Sequence, residues 1–268
     1  MASIFKQLTS NDVASTKTLL HEAIPLTGTI VSGTYSDNNI KNYAHGMFQS
    51  VYDYPYLSSS ANHIFDITFG YSNTSVLSSS TSIQNAKKIN IYNQMAQVLV
   101  GYDKTGSVQL FDQDGDFFGT KTDKMQEVIF VNFARLLTKD EIKKGSFELE
   151  LATSSSFDHG TRKFDERIKI ADTSGDTSYF VNSPAGEYGI LYATASAGSN
   201  ILKANQSYKV GLLYYQAGIA VLTGSIFTDQ ALGGILNNAV GHTIMNVKND
   251  TFSGMMTGSG ISSSADSL

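Results

Sequence analysis

Apolar positions along this chain follow two rhythms, and the rhythm changes near residue 101. Thr9-Ser10-Asn11-Asp12 reads as a capping box. Val13, Leu20 and Ile24 follow it, which predicts a short amphipathic helix over 11–23, ended by Pro25. Ile30 and Val31 begin a strand in this reading. Ile40, Tyr43, Ala44, Met47, Phe48 and Val51 recur at helical spacing and predict a second helix over 39–52, broken at Tyr54-Pro55-Tyr56. Phe65, Ile67, Phe69 and Tyr71 alternate with Asp66, Thr68 and Gly70, the pattern of a half-buried strand. Ile83 to Val100 returns to helical spacing, with Ala86, Ile89, Tyr92, Ala96 and Leu99 on one face.

Beyond residue 101 turn signals crowd in: Lys104-Thr105-Gly106, Asp114-Gly115-Asp116, Lys144-Gly145 and Ser174-Gly175-Asp176. Short alternating runs lie between them. Strands are expected at 128–133, around Phe147, Leu149 and Leu151, and at 188–193. The pair 208–215 and 219–227, joined by Gln216-Ala217-Gly218, is a hairpin signal. Thr228-Asp229 caps a last segment holding Leu232, Ile235, Leu236 and Val240. The fold class expected is therefore α+β, predominantly antiparallel β of sandwich or barrel-like form with a helix-containing N-terminal part. The division expected is 1–105 for that part, 106–253 for the β body, and 254–268 for a flexible Gly/Ser-rich tail.

Composition narrows the function. Charged residues make up 16% of the 268, against a usual share of about 25%. Ser, Thr, Gly and Asn fill the difference, which suits β-structure and polar contact surfaces. A net charge of −5, with Lys87-Lys88, Lys143-Lys144 and Arg162-Lys163 as the only basic clusters, argues against nucleic acid as a partner. No apolar run reaches the roughly 20 residues of a membrane span. The first residues carry no secretory pattern. Cysteine is absent, so disulfides, thiolate nucleophiles and thiolate zinc sites are excluded.

Candidate chemistry is sparse. Asp112, Asp114 and Asp116 place hard oxygen ligands around a tight turn and raise a calcium hypothesis. An EF-hand would need Gly and Glu where Phe117 and Asp123 stand, so a turn built by Asp and Gly is the competing explanation. His21-Glu22 starts a zinc-protease pattern whose second histidine is replaced by Pro25. Asp158-His159 with Arg162 and Asp165 forms a mixed-charge cluster without an accompanying nucleophile elbow. His45, His63 and His242 are isolated. The densest feature is aromatic: Tyr43, Phe48, Tyr52, Tyr54, Tyr56, Phe65, Phe69 and Tyr71 fall within 42–71. Rings supply large contact areas at low entropic cost. Tyr43, Phe48, Tyr52, Tyr54 and Tyr56 are the interface candidates. No catalytic residue, metal or cofactor is assigned.

The run Asn42-Tyr43-Ala44-His45-Gly46-Met47-Phe48-Gln49-Ser50-Val51-Tyr52-Asp53-Tyr54-Pro55-Tyr56-Leu57 resembles a family of virion structural proteins of contractile-tailed, cyanophage-type bacteriophages. So do the segments 61–67, 137–147 and 188–192, and the hairpin strands 211–215 and 222–227. The resemblance spans most of residues 4–228. It implies a non-enzymatic tail, baseplate or head–tail accessory component that assembles in the host cytoplasm. Its partners would be other virion proteins and copies of itself, with no nucleic acid and no membrane. The alternative is a tail protein that binds host-surface glycans or a receptor, stacking sugars on Tyr54 and Tyr56.

Overall fold

The computed structural model describes residues 39–43, 47–79, 85–117, 124–133, 141–152, 157–158, 163–164, 167–195, 207–227 and 235. The expected helix at 11–23, the strand at Ile30–Val31, the segment after Thr228 apart from Ile235, and the 254–268 tail lie outside the described residues.

One open antiparallel sheet organises the chain. Its strands are β1 (Ile40–Asn42), β2 (Gln49–Tyr52), β3 (His63–Tyr71), β4 (Glu127–Phe133), β5 (Glu148–Ala152), β8 (Arg167–Ala171), β9 (Phe180–Ser183), β10 (Gly186–Ala195), β11 (Tyr208–Tyr214) and β12 (Ile219–Thr223). The order is β1-β2-β3-β4-β12-β11-β10-β8-β5, with β9 added on β10. A separate ribbon pairs β6 (Phe157–Asp158) with β7 (Lys163–Phe164). The helix α1 spans Asn85–Leu99. This is the predominantly antiparallel α+β fold the sequence predicts. Strands before residue 105 and strands after it share the one sheet.

The sheet curls without closing. Four strands separate β4 from β5 in the sheet. Laid flat, that separation would be about 24 Å at the usual inter-strand spacing. Yet the rings of Phe133, at the end of β4, and Phe147, just before β5, meet edge-on at 5.5 Å. The concave face collects Phe69, Tyr71, Ile129, Val131, Leu213, Leu191 and Ile170. The convex face carries Val128, Phe130, Leu212, Tyr214 and Tyr188, covered by Tyr92, Ala96 and Leu99 of α1 and by Phe111 and Phe117. Because both faces of β4 are buried, its apolar run is continuous rather than alternating.

Three sequence expectations need correcting. The helix over 39–52 is a hairpin instead: Ile40 pairs with Val51, Lys41 with Ser50 and Asn42 with Gln49. β2 then pairs with β3 from Gln49–Ile67 to Tyr52–His63. The segment is rich in aromatic and β-branched residues, and cross-strand pairing outweighs its helical spacing. The hairpin also buries Gln49 and Ser50, which lie off the apolar face of the expected helix.

The helix expected over 83–100 forms, but its buried face is rotated. Lys88 and Ile91 are buried with Tyr92, Ala96 and Leu99, whereas Ala86 is exposed. Gly70 sets this position. A Cβ there would lie 2.9 Å from the Tyr92 nitrogen and 3.1 Å from the Lys88 carbonyl, so only glycine lets the helix backbone come this close to β3.

The third correction concerns the last hairpin. β12 ends at Thr223 and continues as a 3-10 turn, Gly224–Phe227, so the strand does not reach 227. Gly218 closes the preceding turn at φ 68°, as the hairpin signal requires.

Candidate functional site

The aromatic cluster sits on the β1–β2–β3 end of the sheet. Between β2 and β3 the chain leaves the sheet from Asp53 to Asn62. Asp53 and Asn62 tie the base of this excursion. The Asp53 nitrogen donates to the Asn62 carbonyl (3.2 Å), and the Asn62 nitrogen and side-chain amide donate to the Asp53 carboxylate (2.6 and 2.8 Å). The Asn39 amide, next to β1, clamps the same base through the Tyr52 and Asp53 carbonyls. A turn in which Ser58 donates to the Pro55 carbonyl rounds the tip.

The structure brings the interface candidates together in two groups. The Tyr43 and Phe48 rings meet at a tilt, 4.9 Å apart and both half-buried, with the Lys41 ammonium 5.2 Å from the Tyr43 ring. Tyr52 lies half-buried between His63 (5.4 Å) and Tyr56 (6.4 Å). Tyr54 is half-buried. At the tip Tyr56 is 36% exposed and Leu57 is 87% exposed. Leu57 is not among the sequence-derived candidates. Its signal was only an apolar residue placed between Pro55 and a serine run.

A polar network lies beneath the rings. The Ser50 hydroxyl donates to Asp66 Oδ1 (2.5 Å), His63 Nε2 is 2.8 Å from the same oxygen, and the Tyr43 and Ser50 hydroxyls are 3.2 Å apart. Serine, histidine and aspartate meet here in the wrong order for nucleophilic catalysis. Both Ser50 and His63 bind the carboxylate, whereas a triad needs the histidine between serine and acid. The network joins β2 to β3 and fixes the platform on which the rings stand.

The aspartates at 112, 114 and 116 do converge, with one oxygen from each inside a 4.8 Å span. Asp112 is also ion-paired to Lys124, and the two residues form an isolated bridge. Burial pushes the Asp112 carboxyl up, against the pull of Lys124. Partial burial also works to raise Asp114, but its hydrogen bond with Asp112, the Asp116 N–H and the charges of Lys209 and Lys124 leave it lower than usual. A cation would compete with Lys124 for the Asp112 carboxylate. Millimolar calcium is therefore expected to leave the wild-type melting temperature unchanged and to raise it in Lys124→Met, as calorimetry would read. A rise of several degrees in the wild type would show that the ion displaces the lysine.

His159, Arg162 and Asp165, like His21, His45 and His242, lie outside the described residues. Among the described residues, no helix is long and apolar enough to cross a membrane. No family model, no curated protein and no solved structure matches the chain.

Proposed function

We propose that this protein is a structural component of a tailed-bacteriophage particle, acting by contact with neighbouring subunits and not by catalysis. The observation that carries the reading is the excursion between β2 and β3. A solvent-facing Tyr56–Leu57 tip stands on a base tied by hydrogen bonds and ring contacts. An apolar tip on a preorganised base loses little entropy on docking, which is how an interface anchor gains affinity. The phage family is what the sequence resemblance over most of residues 4–228 implies.

The test is a phage carrying Leu57→Asp together with Tyr56→Ser. The purified variant is expected to melt within a few degrees of wild type, because Leu57 is 87% exposed and Tyr56 gives up only its contact with the Tyr52 ring. Its incorporation into particles is expected to fall at least about 30-fold, the loss of one anchor of about 2 kcal/mol. Normal incorporation would overturn the reading. Retained incorporation with lost adsorption to host cells would favour the receptor-binding alternative.

A further inference from the structure

The helix α1 carries a lysine that points inward. Lys88 is 1% exposed, and among the described residues its Nζ has no hydrogen-bond partner. Among the described residues, its electrostatic compensation is the Phe69 ring, 5.5 Å from Nζ to the centroid. Phe69 and Gly70 point to opposite faces of β3. α1 rests on Gly70, so the lysine stem must pass the margin of β3 to reach Phe69. On that side β2 pairs with β3 only as far as Ile67, and among the described residues no strand pairs with Thr68–Tyr71 there. Acids that bear on α1 through Tyr92 are otherwise engaged: Asp112 by Lys124 and Glu127 by Ser75. The neighbouring Tyr71 hydroxyl is spent on Asn85, and Lys87 is exposed.

The two halves of α1 are held differently. Toward its C-terminal end, Tyr92, Ala96 and Leu99 are fully buried. The Tyr92 hydroxyl donates to the Met125 carbonyl, and the Leu99 carbonyl accepts from Ser183. The N-terminal turns are held by Asn85, through Tyr71 and the Ser78 carbonyl, and by the half-buried Ile89. These turns also carry the whole cost of an unpaired buried ammonium.

We propose that the N-terminal turns of α1, residues 85–90, form a latch that opens locally. Lys88 swings into water, and the β3 margin at Phe69–Tyr71 is bared while the rest of the helix stays clamped. The sheet then has a segment it can expose without unfolding. The proposal stands independently of the phage reading.

Native-state hydrogen exchange on the full chain tests it. At pH 7, amides of residues 89–92 are expected to exchange at least about 100-fold faster than those of 96–99, after correction for intrinsic rates. Lys88→Met keeps the length of the stem and removes the charge. It is expected to slow exchange at 89–92 about 100-fold. In the wild type, raising the pH from 7 to 9 is expected to increase protection there about tenfold, as the ammonium loses its proton. This arm serves even if the variant fails to fold. Equal protection along the helix would overturn the latch, as would exchange at 89–92 indifferent to both the substitution and the pH.

Discussion

Asp172→Ala is expected to destabilise the fold by about 3–5 kcal/mol. Asp172 follows β8, is 1% exposed, and joins three stretches distant in sequence. Its Oδ2 accepts from the Gly145 nitrogen (2.7 Å) and the Tyr215 hydroxyl (3.2 Å), and its Oδ1 accepts from the Phe147 nitrogen (2.9 Å). Its own backbone carbonyl accepts from Gly175. Alanine would leave the buried Tyr215 phenol and two part-buried backbone N–H groups without their acceptor, and a buried orphan costs about 1–3 kcal/mol. Asparagine keeps one acceptor but turns an N–H₂ toward a second donor, so a smaller loss, about 2 kcal/mol, is expected.

Burial raises the Asp172 carboxyl above the usual carboxylate range, against the pull of the Gly145 and Phe147 N–H groups. The folded state therefore holds this proton more readily than the unfolded chain. The stability linked to it is present in full below the ordinary aspartate value and declines as pH rises through the raised one. Urea unfolding followed by far-UV circular dichroism reads both effects in this tryptophan-free chain. An alanine variant within about 1 kcal/mol of wild type would show that the three stretches hold without the carboxylate.

The opposite sign is expected for Lys88→Met, a gain of about 3 kcal/mol at pH 7. Burial lowers the Lys88 ammonium from the usual 10.5 to about 8. Between those values the unfolded chain binds more protons than the folded one, so wild-type stability rises with pH across that window. The methionine variant has no such term. Its advantage is expected to shrink above pH 8 and to vanish near 10.5. A variant less stable than wild type at every pH would mean that the ammonium contributes a net favourable contact with the Phe69 ring.

Much of the sheet is written locally. Alternation at Phe65–Tyr71, the apolar run at 128–133 and the glycine-closed turn before Ile219 each predict an element that forms. In the first the pattern matches the strand period, in the second a continuous apolar run suits a strand buried on both faces, and in the third glycine stands where the backbone needs a positive φ. The 39–52 segment misleads because its apolar spacing fits a helix equally well. What decides it is the edge of β3, a partner that begins a dozen residues later. The aromatic cluster of the candidate site was legible as composition. The tie between Asp53 and Asn62 was not, since neither residue signals the other across the excursion.

Taken alone, the amino-acid sequence determined that strands would dominate, where most turns would fall, that thiol chemistry was excluded, and that rings would gather between residues 42 and 71. These are consequences of residue type and short-range period. Tertiary structure alone decided the strand order, the curl that brings Phe133 to Phe147, the hairpin at Ile40–Tyr52, the inward turn of Lys88 and the exposure of Leu57. Each of these depends on contacts between segments far apart in the chain, whose free energy no local window of sequence contains.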